Sequence, residues 1–91
     1  MKRYLIERDI PGVDKLTSEQ VAATAKAGTA AVEALAGDVQ WEQSYVIKDK
    51  TFCVFRATDE QAVREHAKLA GFPVSNISEV NSIIGPVGSS S

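Results

Sequence analysis

His66 and Cys53 are the single imidazole and the single thiol in a chain of 91 residues, and they bound the chemistry within its reach. His66 falls on the apolar stripe of a helical segment, three residues after Val63 and four after Ala62. An imidazole in such a place needs a polar partner. It is either a core histidine bonded to a carbonyl or carboxylate, or a metal ligand or proton carrier. Cys53 lies in the middle of a strand-like run. An unpaired cysteine there packs as a small hydrophobe, or, as a thiolate beside a cation or metal, acts as a soft ligand. Glu7 sits among apolar neighbours on the first strand, where a charge needs a partner. Arg8 or Arg56 would provide a surface ion pair; the alternative is a ligand position beside His66 or Cys53. Glu65 adjoins His66 in sequence but lies about 100° away around a helix, so only a dimer edge or a metal would recruit it. Tyr45 and Trp41, expected on one side of the second strand, suit packing better than ligand stacking.

Imidazole, thiolate and carboxylate together suit nickel, zinc or copper rather than magnesium or calcium. One His and one Cys do not complete a coordination shell. Two copies across a symmetric interface would, and this couples metal binding to a homodimer. Other chemistries lack their motifs. Pro11-Gly12 and Gly85-Pro86-Val87-Gly88 stand outside any nucleotide-cradling pattern, and no nucleophile elbow or Cys pair occurs. The formal charge is −2, with 10 basic against 12 acidic residues and no basic stripe, which argues against nucleic acid and anionic membrane surfaces as partners. No apolar run approaches the roughly 20 residues of a membrane span, and charge at Glu7, Arg8 and Asp9 interrupts the N-terminal apolar stretch too early for a signal core. A lone thiol fits a reducing compartment, so a cytoplasmic location is expected.

These groups must be positioned by one domain. Hydrophobic residues make up 44% and charged residues 24%, an ordinary globular composition. Residues 1–84 are expected to form that domain and residues 85–91 a loose tail. Arg3 to Arg8 suits a strand ended by Pro11-Gly12. Thr17 and Gln20 stand in capping-box register, with Leu16 and Val21 at the staple positions. Val21, Ala25, Gly28, Val32 and Leu35 then recur near the helical period, and Gly37 ends the helix. This Ala- and Gly-rich stripe lets the helix lie close to a sheet. Val39 to Ile47 reads as a second strand with Val39, Trp41, Gln43, Tyr45 and Ile47 on one side. A tight turn at Asp49-Lys50 would lead into Thr51 to Arg56, placing Val46 opposite Cys53 and Tyr45 opposite Val54. Thr58 and Gln61 repeat the capping-box spacing. Ala62, Val63, His66, Ala67 and Ala70 form the inward stripe of the second helix, which Gly71 and Pro73 terminate. A last strand is expected from Ile77 to Ile84.

The order β-α-β-β-α-β, with right-handed crossovers and an adjacent central hairpin, predicts an α+β, ferredoxin-like domain. Its antiparallel sheet has strand order 4-1-3-2 and carries both helices on one face. The third strand is apolar on both sides, so both need cover. Helices cover one; a second copy related by a two-fold axis is expected on the other.

Trp41 to Val46, Asp49 to Phe55, Glu60, Arg64-Glu65-His66-Ala67, Gly71-Phe72-Pro73, Ser78-Glu79-Val80 and the opening Arg3 to Arg8 together resemble a family of small bacterial ferredoxin-like domains of unknown function that carry the label nickel-binding. The resemblance implies a dimer and, for some members, nickel held by His, Cys and Glu from both protomers. Carried onto this chain it nominates His66 and Cys53 first, then Glu7 and Glu65. The chain departs from the pattern at Gln43, where other members carry His or Glu and where an amide is a poor ligand. A nickel-binding dimer without catalytic turnover is the leading expectation. A dimeric α+β barrel enzyme of monooxygenase or isomerase type, with His66, Glu7 or Tyr45 as proton carrier, is an alternative by fold analogy. A structural or regulatory interaction module is the other.

Overall fold

Chain direction and side-chain alternation account for most of the architecture. The computed structural model describes residues 1–86. Its elements are β1 (Lys2–Asp9), a short 3-10 turn (Val13–Lys15), α1 (Ser18–Ala34), β2 (Val39–Ile47), β3 (Lys50–Ala57), α2 (Glu60–Ala70) and β4 (Asn76–Glu79). The four strands form one antiparallel sheet in the order β2-β3-β1-β4, the ferredoxin-like arrangement expected. Of the tail expected over residues 85–91, positions 87–91 lie outside the described residues.

The core fills the space between the helices and one face of the sheet. Tyr4, Ile6, Val39, Cys53, Phe55, Ala57, Ala62 and Val63 are its buried cluster. Because strand side chains alternate, Tyr4, Ile6 and Arg8 turn toward the helices, while Arg3, Leu5 and Glu7 turn to the open face. Along β3, Thr51, Cys53, Phe55 and Ala57 are buried against the helices, and Phe52 and Val54 stay half-buried on the open face.

Helix α1 starts as its sequence requires. Thr17 Oγ1 accepts from the Gln20 amide at 3.2 Å, and Gln20 Oε1 accepts from the Thr17 amide at 2.9 Å. Its contact with the sheet is made by Gly28 and Ala31, with Ala25, Val32 and Leu35 half-buried. Val21, expected on that stripe, is 51% exposed, because the first turn of the helix projects past the core. Helix α2 buries Ala62, Val63, His66 and Ala67 as its periodicity predicts. Its cap differs: Asp59 rather than Thr58 accepts from the Ala62 amide at 2.9 Å. A short, ionised side chain near a helix N-terminus is favoured both by geometry and by the helix dipole.

Three strand features depart from expectation. The hairpin turn is Lys48-Asp49, not Asp49-Lys50, so Ser44 opposes Cys53 and Tyr45 opposes Phe52. Asp49 takes the left-handed conformation (φ 58), which Asp tolerates, and its Oδ1 accepts from the Gly12 amide at 2.7 Å. Second, a bulge between Trp41 and Gln43 breaks the alternation of β2. Trp41, opposite Phe55, faces the helices; Gln43 and Tyr45, opposite Val54 and Phe52, face the open side. Trp41 and Tyr45 therefore do not share a side. Third, β4 is only Asn76–Glu79 rather than 77–84: its register with β1 runs from Tyr4 to Glu7, and the Val80 amide adds a bond to the Arg3 carbonyl at 2.8 Å.

Candidate functional site

His66 enters the site from the buried stripe of α2 and is fully buried. Its Nε2 lies 2.9 Å from the carbonyl oxygen of Gly28. A carbonyl only accepts, so Nε2 carries the proton. Gly28 is closely packed too: a Cβ there would stand 3.2 Å from Trp41 and 3.6 Å from Phe72. The imidazole packs against Phe55, with ring centroids 4.7 Å apart, and against Phe72 at 6.4 Å. Burial pushes its pKa below the ordinary histidine value; the Gly28 carbonyl opposes this, and the Arg8 charge adds to it. In the neutral ring Nδ1 is an acceptor, and it has no hydrogen-bond partner among the described residues.

Cys53 occupies the same side of the sheet, buried at 6% exposure. Its sulfur contacts Thr51 Oγ1 at 3.7 Å. Arg8 lies in the adjacent strand opposite Thr51 and is only 2% exposed. Its Nη1 donates to the Pro73 carbonyl at 2.9 Å, and its guanidinium stands 5.3 Å from the centre of the Phe72 ring. The helix-facing layer that holds the imidazole and the thiol thus already holds a buried positive charge.

Glu7 faces the other way. It pairs with Lys50 at 2.9 Å on the open face, and Lys50 also reaches Asp9 at 3.5 Å. The hydrogen bond to Glu7 raises the Lys50 pKa above its ordinary value, aided by the Glu7 and Asp9 charges and opposed by partial desolvation. Neither Arg8 nor Arg56, the expected partners, takes that role. Arg8 cannot, because adjacent strand residues point to opposite faces. Glu65, half-buried on α2, accepts from Gln61 at 3.4 Å.

Of the four nominated donors, the structure places His66 and Cys53 in one buried layer and Glu7 on the opposite face of the sheet. No group of three or more His, Cys, Asp or Glu side chains stands close enough to hold a metal ion among the described residues. The donor set of one copy does not fit a nickel centre: it is divided by the sheet, and its soft pair shares a layer with Arg8, whose charge repels a cation. Sequence reasoning passed over Arg8 as a buried group. The signal was present in the period-two series Tyr4, Ile6, Arg8, which continues the core face of β1.

The open face offers a second surface. Arg3 Nε bonds Glu42 at 2.9 Å, and Gln43 Nε2 donates to Tyr45 Oη. With Val54, Val80 and Ile83 these residues line a shallow depression of about 330 Å³ that is open to solvent.

Residues 4–80 match the model of a family described as nickel responsive protein, SCO4226-like. Among solved structures, that of SCO4226 from Streptomyces coelicolor A3(2) superposes with a TM-score of 0.76 at 20% identity, covering 90% of this chain and 99% of that one. No significant match to a curated protein sequence is found. At such low identity the structural match establishes the fold, whereas the family match extends over most of the chain; the protein belongs to the SCO4226-like family of nickel responsive proteins.

Proposed function

We propose that this chain is a nickel-binding homodimer without catalytic turnover, two copies meeting through their open sheet faces. The observation that carries the reading is the composition of that face. Leu5, Phe52 and Val54 form a half-buried apolar centre, and the Arg3–Glu42 and Lys50–Glu7 pairs flank it. An apolar centre with a rim of both charge signs suits a two-fold self-association, in which each acid can meet a base of the other copy. A domain of this size also has a thin core, which a second sheet would thicken.

The nickel relation comes from the family description. In this reading the ion draws its donors from two joined copies, since one copy does not assemble them. Glu7 is the nominated donor that the joining face presents, and nickel there would have to displace Lys50 from its carboxylate, while His66 and Cys53 serve the core. Isothermal titration with Ni²⁺ tests this assignment. Glu7→Gln is expected to abolish the nickel heats, and Cys53→Ala to leave them unchanged. Equal binding by wild type and Glu7→Gln, or loss in Cys53→Ala with the fold intact, would reject it.

A further inference from the structure

Among the described residues, the buried side-chain nitrogen and oxygen atoms that lack a hydrogen-bond partner are three: Arg8 Nε, Arg8 Nη2 and His66 Nδ1. They belong to two residues that both lie close to one ring, Phe72, at 5.3 Å and 6.4 Å from its centre. Unpaired buried polar groups are costly, and a buried charge without a counter-charge costs more. The acids next to Arg8 in the chain do not neutralise it, because Glu7 and Asp9 are engaged with Lys50. Arg8 spends one of its nitrogens on the Pro73 carbonyl and keeps the rest of its planar fork free.

We propose that Arg8 and His66 form a binding site, beside Phe72, for a small oxyanion that also carries a hydroxyl group, with inorganic phosphate as the simplest case. The chemistry of the two partners sets this specificity. A guanidinium fork recognises paired anionic oxygens. His66 Nδ1 is an acceptor, because Nε2 must donate to the Gly28 carbonyl, so the ligand has to offer a proton there. Phosphate and bicarbonate have both an ionised oxygen and an O–H at neutral pH; sulfate has only the former. Entry runs past the connection between α2 and β4. Phe72, Pro73 and Val74 lie there outside any helix or strand, and the Pro73 carbonyl tethers them to Arg8. Phe72 is itself half-buried, and the guanidinium lies against its ring. This site is on the helix side of the sheet and depends on neither the dimer nor nickel.

The test is a titration of ¹⁵N-histidine-labelled protein, in a buffer free of oxyanions, with sodium phosphate and with sodium sulfate matched in ionic strength. Phosphate is expected to move the His66 Nδ1 resonance saturably, and sulfate to leave it in place. Arg8→Gln is expected to lose the saturable shift. If that variant does not fold, the comparison of the two anions on the wild type stands alone. No saturable shift with phosphate, an equal shift with sulfate, or an undiminished shift in folded Arg8→Gln would each overturn the assignment.

Discussion

A neutral, fully buried imidazole makes the fold sensitive to acid. In the unfolded chain His66 takes up a proton near its ordinary value of 6.5, whereas burial, reinforced by the Arg8 charge, holds it deprotonated in the fold to lower pH. The unfolded state therefore binds the extra proton, and its stabilising contribution is present above that value and lost as pH falls toward the folded pKa. Urea denaturation between about pH 7 and pH 5 is expected to show stability falling with pH in the wild type, and a shallower dependence in His66→Gln. The position of His66 on a buried stripe was legible from its spacing to Ala62 and Val63. Its partner was not, since the Gly28 carbonyl is 38 residues away in the chain. Arg8 shows the converse: its alternation with Tyr4 and Ile6 points inward, yet an arginine in a core is unusual, and the sequence expectation for it is a surface ion pair with Glu7.

At the scale of elements, the contact of α1 with β2 and α2 depends on Gly28. A β-branched side chain there would push into Trp41 and Phe72 and lengthen the His66 hydrogen bond. Gly28→Val is expected to destabilise the protein by about 1–3 kcal/mol, read from chemical denaturation, despite the gain in helix propensity over glycine. An unchanged or raised midpoint would show that Trp41 yields freely. Helix boundaries were largely readable, because caps and stripes are local signals, as in Thr17-Gln20 and in Ala62 to Ala67. The β2–β3 pairing was not. Asp49 in the turn accepts a bond from Gly12, distant in sequence, and the bulge at Trp41 to Gln43 shifts the alternation of β2 partway along the strand. Together they move Tyr45 to the open face and Trp41 to the core. The pairing of β4 with β1, from Tyr4 to Glu7, is likewise a contact between distant parts of the chain.

The strand order was legible because crossover handedness and an adjacent hairpin leave few arrangements for β-α-β-β-α-β. Which donors share a face was harder to read, since a side chain's face depends on the register of the whole sheet. That division, with Glu7 on one side and His66 and Cys53 on the other, is what transfers the nickel question from one copy to two. The open face is the centre of the account, and Val54, opposite Leu5 on one neighbouring strand and Gln43 on the other, is at its middle. Sedimentation velocity of the wild type and of Val54→Lys at micromolar concentration tests it most directly, with circular dichroism to verify that the variant folds. The wild type is expected to sediment as a dimer and the folded variant as a monomer. A monomeric wild type, or a variant that remains dimeric, would contradict the account.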